Sequence, residues 1–403
     1  MPSRSARPVT VLCVGAILLV GYAVGCANEE SSIAPLAPTS GRVDPGLGPG
    51  TRALSSGPGY KGSPSWSPNG DRIAFVKDGY VADRPTGSGQ VRRRTTTDFV
   101  AREIEWTSDD TLMMLGATPV PTPDRNTPGS LYRAGSGEDP LQLQTVTTGV
   151  LAMSRGPDGE GLVYAFRDGP RESGLALTRD NGKIHRLYAG AVEGRVAALS
   201  LSKGGDEAVL TVQTPGAPET SGLRIFDLRN REGREIARLD GRQEILGTPQ
   251  WTDHGIYFVA GKENISVDAD GSEPLYDLYR APSDGGAPVP APGVGEDFVA
   301  SSIRVSPEGE RLAIVGRLNP KSPPNLYVLD LLGKNLETVT SNEGMEIKTG
   351  PDDLAWTPDG EGVVIVARGI PSTEPEVRAD PADRLLKDFY NLYEIPVSGG
   401  ETR

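Results

Sequence analysis

The sequence predicts an all-β fold, a ring of seven four-stranded antiparallel units closed by an N-terminal strand that completes the last unit. Three observations predict it. A turn signature follows an apolar run again and again along the chain. Each signature opens a segment of about fifty residues with alternating apolar and polar character. The composition, 51 Gly and 35 Pro in 403 residues, supplies turn formers at the density that many short strands need.

The signature is clearest in SPSWSPNGDRIAFV, residues 63–76. Ser67, Pro68, Asn69 and Gly70 suit the four positions of a type I turn, with Gly where φ is often positive. Between two apolar runs such a turn makes a tight antiparallel hairpin. The pattern returns around Trp106, Arg155, Leu201, Trp251, Val305 and Trp356, which occupy the position of Trp66. Two further strand-like runs follow each hairpin, as in NLYVLDLLGKNLETVT (325–340). Four strands per unit and seven units define a β-propeller. The last unit stops after NLYEIPV, one strand short, and Thr51–Ser55 precedes the first hairpin as an outer strand should. Residues 51–55 are therefore expected to complete the seventh blade and join the two ends of the domain.

The segments SWSPNGDRIAFV, VSPEGERLAIV and WTPDGEGVVIV resemble the repeat of TolB-like, WD-repeat-like propellers. The resemblance covers residues 51–403 and implies an envelope protein facing the periplasm. The chain departs from TolB in three respects: no separate α/β domain precedes the propeller, seven units are expected instead of six, and a lipid anchor is expected.

The N-terminus has a different character. Arg4 and Arg7 precede 17 uncharged residues, Val9–Gly25, and then Cys26. This is the plan of a secretory signal peptide over residues 1–25. Ala23-Val24-Gly25-Cys26 resembles a bacterial lipobox, which implies that Cys26 becomes the lipidated N-terminus. An uncleaved signal anchor and plain secretion are the alternatives. Cys13 would leave with the signal, so the mature chain keeps Cys26 alone and no disulfide framework. Residues 26–50, rich in Pro, Gly and Ser, read as a disordered tether. The chain would be exported and anchored to a bacterial membrane, facing the periplasm or the cell exterior. The net charge of −13 gives nucleic acid no electrostatic footing.

In a propeller the first–second and third–fourth turns share one face, and the second–third and fourth–first loops share the other. The first set is short here, whereas second–third loops grow at 117–129, 261–274, 317–325 and 368–391. Long excursions on one face of a rigid scaffold are where function tends to sit. DPADRLLKDFYN (380–391) suits a short helix capped by Asp380, with Leu385/Phe389 and Leu386/Tyr390 as i,i+4 pairs. Leu385, Phe389 and Tyr390 would then either pack onto the neighbouring blade or face a partner. Arg102, Glu103, Asp352 and Asp353 start two inner strands at the channel mouth on this face. They would either contact a ligand or satisfy one another.

No catalytic pattern emerges. The two histidines, His185 in an outer strand and His254 in a tight turn, belong to different units, and no G-x-S-x-G elbow occurs. Asp268, Asp270 and Glu273 resemble the start of a calcium loop without its distal ligands, so a polar turn is the better reading. Arg92-Arg93-Arg94 reads as a solvated outer edge. The sequence implies no cofactor and no resident metal. The reading that follows is a monomeric, non-enzymatic module that binds an envelope protein or peptide through its long-loop face. A carbohydrate or small-molecule receptor at the channel mouth is the alternative, and a propeller enzyme with an unrecognised site is the third reading.

Overall fold

The computed structural model describes residues 47–87, 90–96, 99–117, 128–135, 143–156, 161–179, 183–214, 220–239, 244–261, 275–341, 344–369 and 389–397. All the regular elements among them are β-strands, and all ladders are antiparallel. The signal segment, Cys26, most of the expected tether, Leu385, and the Asp268, Asp270 and Glu273 group lie outside the described residues.

The first unit is β2 (Lys61–Trp66), β3 (Arg72–Lys77), β4 (Tyr80–Pro85) and β5 (Arg92–Arg93). The same four-strand ladder recurs as β13 (Arg195–Leu201) to β16 (Glu232–Leu239), β17 (Ile245–Thr252) to β20 (Val289–Pro290), and β21 (Val299–Val305) to β24 (Asn335–Thr338). Between them, β6 (Val100–Ser108) to β12 (Lys183–Glu193) form one seven-stranded sheet. The described residues thus form six sheets where seven separate blades were expected. The cause is β9 (Gln144–Arg155), which pairs with β8 (Gly129–Gly135) through 144–150 and with β10 (Leu162–Arg167) through 150–155. One long strand serves as the outer strand of one unit and the inner strand of the next.

The remaining sheet holds β25 (Met345–Ile347), β26 (Leu354–Trp356), β27 (Gly362–Gly369), β28 (Asn391–Pro396) and β1 (Arg52–Ala53). Both β25 and β26 pair with β27, so this inner strand is interrupted at residues 348–353. The N-terminal strand completes the sheet as expected, with Arg52 opposite Glu394 and Ala53 opposite Tyr393. Leu54 N donates to Leu392 O at 2.8 Å, and Leu392 N donates to Ser55 Oγ at 2.9 Å. The inner strands touch in the cyclic order β2, β6, β9, β13, β17, β21, β26 and back to β2. Packing begins before the expected boundary at residue 51: Leu47 is fully buried in the cluster around Val328 and Tyr393.

Burial follows from position in the blade. The second strands are covered on both sides by neighbouring units, so they read as continuous apolar runs such as Val363–Ala367 and Ile256–Ala260, all buried. Outer strands such as β12 and β16 are largely exposed. Each apolar cluster joins two consecutive units; one holds Trp66, Phe75, Val364 and Leu392, and another holds Val209, Ile225, Ile256 and Phe258.

The turn signature folds as its chemistry dictates. Gly70 N donates to Ser67 O and Gly360 N to Thr357 O, with φ of 75° and 72° at the two glycines. The hydroxyl of the first turn residue then accepts from the backbone N–H that opens the next strand, Arg72 N to Ser67 Oγ at 3.0 Å and Gly362 N to Thr357 Oγ1 at 2.8 Å. Adjacent turns are joined across units, Asn69 N to Asp109 Oδ1 at 2.9 Å and Arg311 NH2 to Gly360 O at 2.7 Å.

The arginine run departs from expectation. Arg92 and Arg93 are exposed, but Arg94 is only 2% exposed. Its Nε meets Oδ1 of the fully buried Asp83 at 2.6 Å, and its NH1 donates to Gly135 O of the second unit at 3.1 Å. Arg72 binds the other oxygen of Asp83. One buried carboxylate therefore holds two arginines. Removing one member of a buried ion network leaves the rest unpaired and costs about 3–5 kcal/mol. Asp83→Ala should lose stability of that order in urea denaturation, whereas Arg92→Ala should stay within about 0.5 kcal/mol of wild type. A loss below about 1 kcal/mol for Asp83→Ala would contradict this role.

Candidate functional site

Strand alternation decides which residues face the channel. In β6, Ile104 and Trp106 are buried against the first unit, so Glu103 and Glu105 lie on the opposite face, toward the third unit and within electrostatic reach of Asp352. The same register places Ser200 on β13, Gln250 on β17, Ser302 and Arg304 on β21, and Asp353 just before β26.

A second local feature shapes the mouth. The ladder between first and second strands shifts register at Gly62/Ser65, Ala101/Glu103, Val196/Ala198, Leu246/Gln250 and Ala300/Ser302. A shift of this kind takes backbone groups out of the ladder. Polar side chains of neighbouring inner strands engage them and the adjacent backbone. Met153 N donates to Glu103 Oε2 at 2.9 Å, Ser200 Oγ to Pro249 O at 2.7 Å, and Val305 N to Gln250 Oε1 at 3.1 Å. Ser302 Oγ donates to Pro351 O at 3.0 Å and Ser63 N to Asp353 Oδ1 at 3.1 Å. Arg102 NH2 reaches Val150 O and Leu151 O, both at 3.3 Å. These contacts stitch adjacent inner strands together.

Arg102, Glu103, Asp352 and Asp353, singled out from sequence, are therefore brought to one region, and each is engaged there. Asp353 is 5% exposed and meets Lys348 Nζ at 2.6 Å. Lys348 also stands 3.8 Å from the ring centroid of the exposed Tyr60. Asp352 Oδ1 lies 3.6 Å from Arg304 NH2. Burial pushes the Glu103 carboxyl up to about 7, against the Met153 N–H that favours its charged form. Glu105 is also raised by burial, with Arg304 and then Arg155 opposing the shift. Asp353 is raised by burial, with Lys348 opposing.

Glu105, Arg155, Arg304 and Lys348 were not singled out from sequence. The only signal for Glu105 and Arg304 was their shared register, one residue before the Trp66-equivalent position. Lys61 was missed too. It is 1% exposed, and its ammonium donates to Gly57 O at 2.7 Å and to Gly59 O and Tyr390 O, both at 3.3 Å. Burial lowers its pKa to about 8, with Lys77 adding to the effect.

Tyr390 packs against the cluster of Trp66 and Leu392 that joins the last unit to the first. Its hydroxyl donates to Glu346, and the Arg368 guanidinium lies 4.9 Å from its ring centroid. This end of the insertion is thus fixed to the blade. Phe389 is partly exposed, and its carbonyl accepts from Asn391 Nδ2 at 2.9 Å. His185 lies on the outer strand β12 and His254 in the turn between β17 and β18, far apart in the sheet order. Among the described residues, no group of three or more His, Cys, Asp or Glu is placed to hold a metal ion.

No protein-family model matches the sequence. No curated protein matches it either. Solved structures do. Hydrazine synthase of Kuenenia stuttgartiensis superposes with a TM-score of 0.55 at 15% identity, over 79% of this chain and 96% of that one. Oligogalacturonate lyase of Vibrio parahaemolyticus gives 0.52 at 12% identity, over 88% and 94%. A protein of Agrobacterium tumefaciens described as TolB gives 0.42 at 13%, over 78% and 92%. The chain is thus an all-β propeller protein. Proteins named as a synthase and a lyase share this fold, so the fold alone does not decide between binding and catalysis.

The raised carboxyl of Glu103 has a consequence for stability. Between the ordinary value of 4.5 and about 7 the folded chain holds a proton that the unfolded chain has released. Stability therefore falls as pH rises through that window, and the loss is complete above it. Glu103→Gln keeps an acceptor for Met153 N and removes the titration. Its stability relative to wild type should rise by about 1–3 kcal/mol from pH 4.5 to pH 8 in urea denaturation. A difference independent of pH would contradict the burial of this carboxyl.

Proposed function

We propose that the chain is a non-enzymatic binding module that holds a protein or peptide on its long-loop face. The observation that carries this reading is the contrast between the two faces. On one, the connections are short, four of them are turns of one type, and neighbouring turns are tied together at Asn69–Asp109 and Arg311–Gly360. On the other, second–third connections of very different length, 118–128, 262–275 and 370–390, leave the same repeating scaffold. The polar residues at the channel mouth bond to neighbouring strands, which supports a framework role for them over a reacting one. The segment from Arg4 to Cys26 supports export and lipid attachment at Cys26, so the partner would belong to the cell envelope.

The cluster of Glu103, Glu105 and Asp352 with Arg155 and Arg304 supports a second reading, a small polar ligand bound in the channel mouth. The two readings separate experimentally.

In-cell crosslinking followed by affinity purification should recover a partner with wild type and lose it when residues 370–388 are excised. Phe389 and Tyr390 stay in that variant, because Tyr390 packs into the blade and its carbonyl accepts from Lys61. Thermal unfolding of the variant should remain near wild type. Equal recovery from both chains would sink the proposed interface, and stabilisation of wild type by a small polar compound would favour the channel reading.

A further inference from the structure

We propose that a second cleft on the long-loop face, between the third and fourth units, binds a carboxylate flanked by an N–H or O–H donor. A cavity of about 160 Å³ opens there, lined by Arg167, Arg171, Arg195, Glu172 and Gln213 over a floor that includes Leu151 and Ser173. The space is ample for a carboxylate and its flanking group.

The cavity exists because the second–third connection of the third unit is short. Only residues 168–171 join β10 to β11 (Glu172–Arg179), where the second unit uses 118–128. The walls are rigid. Ser173, 1% exposed, donates from Oγ to Gly194 O at 2.9 Å and accepts from Val196 N at 3.2 Å, so it ties the third unit to the start of the fourth. Gly194, at φ 104°, lets the backbone turn sharply between β12 and β13 and line the cleft. Arg167 stands opposite Ser173 in one ladder, and Arg195 stands opposite Gln213 in the next. Three arginines from two sheets and the loop between β10 and β11 thus line one cleft.

Two features give the ligand its chemistry. Three arginines line the cleft with the carboxylate of Glu172, with Asp168 adjoining them, and arginine matches a carboxylate with paired donors. Gln213 Oε1 is enclosed and has no hydrogen-bond partner. A buried acceptor without a donor is costly, so this oxygen is poised to receive an N–H or O–H from a bound group. A peptide C-terminus offers that donor beside its carboxylate, and so does a free hydroxy acid. The proposal rests on the long-loop face being the binding face, but its test uses small probes and is independent of partner capture.

Isothermal titration of the whole chain with acetylglycine, glycolate, acetate and acetylglycinamide tests it. Acetylglycine or glycolate should bind saturably, with acetate and acetylglycinamide at least about tenfold weaker, since each lacks one of the two recognised groups. Tighter binding of acetylglycine than of glycolate assigns a peptide end, and the reverse assigns a free hydroxy acid. Arg171→Ala and Gln213→Ala should each weaken binding about tenfold or more, and Gln213→Ala should do so without loss of thermal stability, because it deletes an unsatisfied group. Lys203→Ala, an equal change of charge in a tight turn on the opposite face, should bind as wild type. No saturable binding, equal binding of acetylglycinamide or acetate, or undiminished binding by either cleft variant would overturn the proposal.

Discussion

The structure depends on the pairing of β1 with β28. Two residues and the hydrogen bonds just beyond them, Leu54 N to Leu392 O and Leu392 N to Ser55 Oγ, join the first described segment to the last. The apolar clusters explain why so short a strand has such reach. Each cluster is shared by two consecutive units, so no second strand is covered until both of its neighbours are in place. The cluster of Leu54, Trp66, Phe75, Val364 and Leu392 is the one that spans the two ends of the domain. At about 25 cal/mol per Å² of apolar surface, opening that seam exposes the faces of two units at once. The buried Lys61 adds a polar clasp at the same place, with its ammonium held by carbonyls from both sides of the junction.

Closure also determines what the channel mouth can do. Inner strands are drawn together around the axis, and the register shifts near their starts leave backbone groups that need partners. Asp353 supplies one at the shift of the first unit and Ser200 one at that of the fifth, while Glu103, Gln250 and Ser302 bond to other backbone groups of neighbouring units. Residues that look like ligand contacts in the sequence therefore hold the ring together. Charge in the channel is arranged in the same manner, with Arg304 beside Asp352 and both raised carboxyls of β6 facing cations.

How much of this was legible in the sequence varied with the range of the interaction. The hairpin turns were, because Ser-Pro-Asn-Gly and Thr-Pro-Asp-Gly each contain their own acceptor, fixed φ and left-handed glycine. The closing strand was, because the last unit lacks one. The fusion of two units through β9 was not: between Gln144 and Arg155 only Gly149 interrupts the strand-forming residues, and it bulges out of the ladder at a φ of 76° without ending the strand. The burial of Arg94 was hidden in a run of three arginines, since its partner Asp83 lies on a different strand. The approach of Glu105 to Arg304 joins the second unit to the sixth, and nothing near either residue announces it. Tyr390 was legible as an apolar residue but not as one fixed in the blade, which Glu346, Arg368 and the adjoining core decide together.

Native-state hydrogen exchange on the intact chain tests the central claim, closure of the ring by its N-terminal strand, most directly. The amides of Leu54 and Leu392 should exchange with the slowest class in the protein, together with those of Val364 and Ile365 in β27, because releasing β1 means opening a shared core. Fast exchange at Leu54 and Leu392, with β27 still protected, would show that the last blade stands without β1 and would contradict the account.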